Sequence, residues 1–297
     1  MKNIGIVGLG TISKYYKKGL EESKRFRLCA VCDLSKDVPA RKVYEAYPFY
    51  TDILQMLKSE SLDFVVVATP PATHFEVAKT AILQGVGVIL EKPAVPNMQA
   101  YETLVALAKE RGVPLRVMFH WQYAVEVEYI RRNFDWKKLT EIKVEIRDNY
   151  AESGVIRKEK RALDGAWLDS GVNALSMLAR WLPMQSVRLV SASCEKCPES
   201  GLPKQSEVNL TADGVRVQIT VDWRESSDEK FSKLVYEGKE VFVDHKRERV
   251  KTDGETVECA QMPRLESHYY NYFTQYDGEE AGSERIHKIL FDANELL

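Results

Sequence analysis

The sequence predicts an α/β domain with a doubly wound parallel sheet, followed by an α+β domain with a large, mainly antiparallel open sheet. Three observations predict this. Apolar strand-like runs alternate with helix-like stretches over the first 120 residues, the pattern of βαβ units. A glycine-rich turn, Gly8-Leu9-Gly10, follows the first of those runs. After Phe119 the hydrophobic pattern changes to strict alternation, as in Ile142-Lys143-Val144-Glu145-Ile146-Arg147, which marks half-buried strands. The expected division is residues 1–120 and 121–297, because 297 residues are too many for one comfortable core.

The first strand is Ile4 to Val7, and a helix-like stretch runs from Ser13 to Glu22. Between them Gly8, Gly10, Thr11, Ile12 and Ser13 fit the G-x-G-x-x-G template, with Ser13 in the third glycine's place. Gly8 allows the tight turn, Gly10 lets the backbone approach a pyrophosphate, and the third position needs only a small residue. The helix N-terminus then offers free N–H groups to phosphates. The second strand, Phe26 to Cys32, ends at Asp33, about twenty residues on, where this Rossmann fingerprint places its acid. A carboxylate there accepts hydrogen bonds from ribose hydroxyls and repels a 2′-phosphate. NAD is therefore the expected cofactor. Lys36 nearby softens the preference and leaves NADP possible.

The alternation continues. Val38 to Tyr47 reads as a helix, Asp52 as the N-cap of Ile53 to Ser59, and Asp63 to Ala68 as a strand buried on both faces. Its end, Thr69-Pro70-Pro71-Ala72-Thr73-His74, is a rigid loop on the cofactor side, with His74 opening the helix to Gln84. Thr69 and Pro70 are read as cofactor-loop contacts, and His74 as a structural residue or a cofactor-loop contact. The strand Gly87 to Glu91 runs into Lys92 and Pro93. Ligands of open α/β sheets bind just outside the carboxyl ends of the strands, so Glu91 and Lys92 stand where cofactor and substrate would meet. A helix from Asn97 to Arg111 and a strand from Pro114 to Phe119 complete the series.

In order and spacing, the Gly-x-Gly-x-x-small turn, Ala68-Thr69-Pro70 with His74, and Glu91-Lys92-Pro93 resemble the Gfo/Idh/MocA oxidoreductases. The motifs cover about the first 120 residues. The resemblance implies that Lys92 is the active-site lysine. The family usually carries Asp-x-Gly-x-His on a helix of its second domain. Here Asp169-Ser170-Gly171 matches, and Asn173 replaces the histidine. An amide donates and accepts hydrogen bonds but does not titrate near neutral pH. The Asp-x-Gly-x-Asn form is similar to the D-galactose and L-arabinose 1-dehydrogenases. That implies oxidation of an aldose at C1 to a lactone, with Lys92, Asp169 and Asn173 as the catalytic set. Whether Lys92 or Asp169 is the base stays open. The alternatives are action on another sugar, a polyol or inositol, or a sensor of NAD or sugar without turnover.

In the second half, Asp213-Gly214 reads as a hairpin turn between Val208–Thr211 and Val215–Val221. Asp169 and Asn173, at i and i+4 in an apolar helical stretch, fall on one helix face. His120, Trp121, Glu145 and Asn149 are candidate sugar contacts. Two tail helices, Leu265 to Tyr276 and Glu284 to Leu297, carry His268, Tyr269 and Tyr272, which serve either the pocket or the core.

The 44 acidic and 42 basic residues leave a net charge of −2. That gives no electrostatic footprint for nucleic acid or an anionic membrane. No apolar run reaches bilayer-spanning length. The start, Met1-Lys2-Asn3-Ile4, lacks signal-peptide architecture, so the expected address is the cytoplasm. The five cysteines suit reduced thiols. Cys194 and Cys197 have C-x-x-C spacing, but no matching His or Cys pair follows, and no metal is expected. The expected partner is a small-molecule sugar. The resemblance adds a homodimer through the open C-terminal sheet.

Overall fold

The computed structural model describes residues 1–224, 228–275 and 282–297. The chain forms two compact units. One comprises Met1–Phe119 and a segment beginning at His268; the other comprises His120–Ser267 and the C-terminal helix. A single cut near residue 120 therefore leaves out a return of the chain. The physical reason is aromatic: Tyr269 and Phe273 are fully buried, and their rings lie 5.0 Å from Tyr16 and 6.2 Å from Phe26, respectively.

In the first unit the strands are β1 (Lys2–Val7), β2 (Phe26–Cys32), β3 (Phe49–Tyr50), β4 (Phe64–Val67), β5 (Gly87–Glu91) and β6 (Leu115–Met118). They form one sheet in the order β3-β2-β1-β4-β5-β6, with every pairing parallel. Every residue of β4 and β5 is buried, as a sheet covered on both faces requires. The order reverses between β1 and β4, and the crevice outside their carboxyl ends is the expected ligand position.

Helices α1 (Tyr16–Glu22), α2 (Ile53–Ser59), α3 (His74–Leu83) and α4 (Met98–Arg111) connect the strands. Asp52 caps α2 through the N–H of Gln55 at 2.7 Å, and Asn97 caps α4 through the N–H of Ala100 at 2.9 Å. The helix expected over Val38–Tyr47 is only a short 3₁₀ turn, Arg41–Tyr44. Buried Tyr44 donates its hydroxyl to the Ser13 carbonyl, a contact that ties the segment to the glycine turn.

In the second unit, β7 (Leu139–Arg147) and a small hairpin, β8 (Ala151–Glu152) with β9 (Val155–Ile156), precede seven further strands. These are β10 (Val187–Lys196), β11 (Pro203–Ala212), β12 (Val215–Asp222), β13 (Glu229–Tyr236), β14 (Lys239–Asp244), β15 (Arg249–Thr252) and β16 (Glu255–Glu258). The large sheet runs β10-β11-β12-β7-β13-β14-β15-β16. Only β12 and β7 pair in parallel; the other pairings are antiparallel. Asp213 and Gly214 turn between β11 and β12 with φ of 45° and 87°, the left-handed pair of a two-residue hairpin.

One sheet face buries Ile142, Val144, Ile146, Ile219 and Val221. The opposite face carries ion pairs such as Glu141–Arg216 and Arg147–Glu229. Helices α5 (Val125–Asn133), α6 (Val172–Trp181), α7 (Arg264–Gln275) and α8 (Ser283–Asn294) complete the elements. Among the described residues, no helix is long and apolar enough to cross a membrane.

Candidate active site

The glycine turn has the shape its sequence demands. Gly8 has φ +98°, and a Cβ there would lie 2.6 Å from the backbone of Ala68 and Thr69. At Gly10 a Cβ would meet nothing within 4 Å, so its backbone borders open space that a pyrophosphate can approach. Ser13 is fully buried and donates its hydroxyl to the Gly10 carbonyl at 2.9 Å, which closes the turn. Asp33 accepts the Leu9 N–H on Oδ2 at 2.8 Å and the Ser35 N–H on Oδ1 at 3.1 Å. Its carboxylate is thus fixed beside the turn, with lone pairs left for hydroxyl donors. Thr11 and Ile12 are exposed at the turn's tip. These features fit a dinucleotide.

His74 and Glu91 are both fastened within the protein. His74 lies with Nδ1 2.9 Å from the Pro93 carbonyl and Nε2 2.8 Å from the Thr69 carbonyl. It ties the loop after β4 to the turn after Lys92. Burial holds its imidazole below the ordinary pKa, against the opposing pull of the Pro93, Thr69 and Ala94 carbonyls. The Thr73 hydroxyl bonds to Thr69 Oγ1 and the Pro70 carbonyl, both at 2.8 Å, so Thr69 and Pro70 sit in a cross-braced loop. Glu91 is 6% exposed. Its Oε1 accepts from Tyr16 Oη at 2.7 Å and its Oε2 from the Lys92 N–H at 3.0 Å; Tyr269 adds a further side-chain hydrogen bond. Burial raises its pKa, and these donors and the Lys92 charge pull it back. Lys92 itself is half-buried at the strand end.

In the second unit, Asp169 lies in a π-helical turn, Trp167–Gly171, which leads into α6. Such wide turns are rare and are frequent at functional sites. Its cause is local. The Trp167 indole donates to the Leu290 carbonyl at 2.8 Å, and its ring lies over Gly171, where a Cβ would come within 2.4 Å. Asp169 is 7% exposed. Asn173 is half-buried, with Nδ2 3.5 Å from the Asp169 carbonyl. Ser170 donates to Asp148 Oδ2 at 2.9 Å, and Asp148 Oδ1 pairs with Lys230 at 2.8 Å.

The structure adds residues that sequence reasoning missed. Tyr150 has its phenol pKa pushed up by burial and then by the charges of Asp169 and Asp148, which places it in the electrostatic neighbourhood of Asp169. Its ring also packs 5.4 Å from Trp223. Asp148 and Lys230 come together because β7 and β13 pair Ile146 with Lys230. Of the expected sugar contacts, Glu145 shares the outward face with Lys143 and binds Arg147 at 2.5 Å. The Asp148–Lys230–Ser170 cluster lies on the other face, so the alternation that exposed Glu145 carries it away from this cluster. Asn149 is exposed and holds Arg157 at 3.0 Å. Trp121 is a packing residue, 5.4 Å from His245 and 5.7 Å from Arg264. His120 is buried beside it in the same 3₁₀ turn.

Residues 2–119 match the family model GFO_IDH_MocA, described as an oxidoreductase family with an NAD-binding Rossmann fold. This stretch is similar to the Gfo/Idh/MocA oxidoreductases. The chain is 29% identical over 125 residues to D-apiose dehydrogenase of Paraburkholderia graminis, covering 41% of this chain and 33% of that protein's length. It is 26% identical over 270 residues to a putative oxidoreductase, YceM, of Salmonella typhimurium, covering 88% of this chain and 81% of the other. The fold is similar to that of D-galactose-1-dehydrogenase from Rhizobium etli, with a TM-score of 0.81 at 23% identity, covering 99% of this chain and 94% of that one.

Proposed function

We propose that this protein is an NAD(P)-dependent oxidoreductase that oxidises C1 of an aldose, of the D-galactose or L-arabinose type, to the aldonolactone. The observation that carries this reading is the residue set. Lys92 stands half-buried at the end of β5, and the Asp169–Asn173 turn offers a carboxylate and an amide but no imidazole. An anomeric hydroxyl suits such a set. The ring oxygen withdraws electrons, so this hydroxyl is more acidic than an ordinary alcohol, and the same oxygen stabilises a cation-like C1. The base therefore has less to do, and losing the family's histidine is tolerable.

Gly8, Gly10, Thr11, Ile12 and Asp33 would hold the cofactor, which when bound supplies the hydride acceptor. Asp169 takes the proton of the C1 hydroxyl as that oxygen becomes the lactone carbonyl. Lys92, as an ammonium, donates a hydrogen bond to the same oxygen and stabilises its developing negative charge. Asn173 orients the sugar by donating and accepting hydrogen bonds. The matches to proteins named for apiose and galactose support a sugar substrate.

The test is reduction of NAD or NADP by the purified protein with a panel of aldoses, inositols and polyols. Turnover with galactose, arabinose or fucose and silence with the polyols is expected. Turnover with inositol or polyols alone would contradict C1 oxidation. Cofactor binding with no turnover on any sugar would point to a sensor.

A further inference from the structure

We propose that Ser170 is a positioning residue, and that the buried Lys230–Asp148 pair holds its hydroxyl so that the π-helical turn presents Asp169 in one fixed direction. The proposal rests on the reading of Asp169 as an active-site residue and says what aims it.

The turn is fastened on both sides of Asp169. Before it, the Trp167 indole donates to the Leu290 carbonyl of α8 at 2.8 Å. After it, the Ser170 hydroxyl donates to Asp148 Oδ2 at 2.9 Å. At the foot of the turn Gly165, with φ +99°, packs closely on β11: a Cβ there would stand 3.0 Å from the Pro203 ring and from its carbonyl oxygen. A serine hydroxyl inside a helix ordinarily turns back to the carbonyl four residues earlier. Ser170 instead reaches out to the end of β7. Residues of one helical turn rotate together about its axis, so holding Ser170 fixes that rotation and with it the direction of the adjacent Asp169.

The acceptor is itself immobilised. Asp148 donates its N–H to the Asp222 carbonyl of β12 at 2.9 Å, and its Oδ1 meets Lys230 Nζ at 2.8 Å. Lys230 also pairs with Asp228 at 2.5 Å, and Asp228 with Lys246 at 2.9 Å. Ser170, Asp148 and Lys230 are all buried. Desolvation offsets much of the attraction within a buried ion pair, so such a pair is weak evidence for stability. Its effect here is directional. One oxygen of Asp148 is committed to an ammonium and the other to Ser170, and a hydrogen bond to a charged acceptor is stronger than one between neutral groups. A reacting group misplaced by about 1 Å can lose about 10²-fold in rate. A hold on the residue next to Asp169 therefore bears on turnover more than on folding.

The experiment is amide hydrogen exchange of the intact chain, read by peptide mass spectrometry, and it needs no substrate. We expect the amides of residues 166–173 to exchange at least about tenfold faster in Ser170→Ala than in wild type, with the peptides of β10, β11 and β12 unchanged. Lys230→Met, which takes the support from Asp148, should speed the same peptide. Combining the two should add little, because both act through one hydrogen bond; fully additive effects would remove the pair from the account. Unchanged exchange over 166–173 in Ser170→Ala overturns the proposal. So does a rise shared equally by β10, β11 and β12, which would mark a general contribution to stability. Where Lys230→Met does not fold, Ser170→Ala decides alone. On a substrate that is turned over, Ser170→Ala should lower kcat about tenfold and leave KM and NAD affinity within about twofold. Failure of the underlying reading is separate: it would show as full turnover by Asp169→Ala and would leave the exchange result standing.

Discussion

Lys92 and Asp169 are held by quite different means. Lys92 has its backbone N–H on Glu91 and its turn on His74, whereas Asp169 owes its place to the widened turn around Trp167. Replacing either side chain with alanine leaves those holds in place and removes only the chemistry. Lys92→Ala and Asp169→Ala should each lower kcat by at least about 10², with NAD affinity nearly unchanged in a fluorescence titration; wild-type rates in either would sink the assignment. Asp33→Ala removes the carboxylate fixed on the Leu9 N–H. It should weaken NAD binding and shift the preference toward NADP, as read from the two Kd values. An unmoved ratio would mean that Asp33 only caps its turn. At this scale the sequence was readable where the backbone demands a residue type locally, as at Gly8, whose φ is +98°, and at Asp33, whose carboxylate takes the Leu9 N–H. It was unreadable where partners come from distant strands, because alternation does not say which strands are neighbours. Asp148, Tyr150 and Lys230 escaped for that reason.

Among the elements, the π-helical turn is the least visible in the sequence. Residues 165–178 read as one regular helix because their apolar spacing suits one. The turn widens because the Trp167 ring occupies the space over Gly171, a packing relation that periodicity does not encode. Gly171→Ala would push a methyl into that ring. We expect loss of turnover together with a lower Tm, since backbone and indole both must shift; a fully active, equally stable variant would show that the turn does not place Asp169. The segment Val38–Tyr47 teaches the converse. Its residues satisfy a helical pattern, yet Tyr44 is drawn to the Ser13 carbonyl and the chain follows that contact. Five of the six strands of the first sheet were legible to within two residues, because turn residues or helix starts bound each buried apolar run; β3, Phe49–Tyr50, is only two residues long and shows no such run.

For the molecule as a whole, a test of the second unit's stability lies in Glu248. Burial, and then the charge of Glu126, push its carboxyl up to about 7 from 4.5, against the pull of Ser267 and Arg264. Glu126 is itself committed to His245 at 2.8 Å, which bonds onward to Ser232 at 2.8 Å. A carboxyl raised by folding stabilises the native state below its unfolded pKa, and that contribution is lost as pH rises through the folded value. Wild type should therefore lose Tm relative to Glu248→Gln between about pH 5 and pH 8, followed by circular dichroism. A constant difference across that range would mean that Glu248 is ionised throughout. The two-unit division was legible in the change of hydrophobic pattern after Phe119. The return at His268 was not, because an aromatic helix face suits either unit equally well.

The central claim is that hydride leaves C1 of an aldose. It is tested most directly with C1-deuterated galactose, arabinose and fucose, by mass spectrometry of the reduced cofactor and the sugar product. The account predicts deuterium in the nicotinamide and a product that has lost it as the lactone. Turnover that leaves deuterium on C1 would place the oxidation at another carbon and contradict the account.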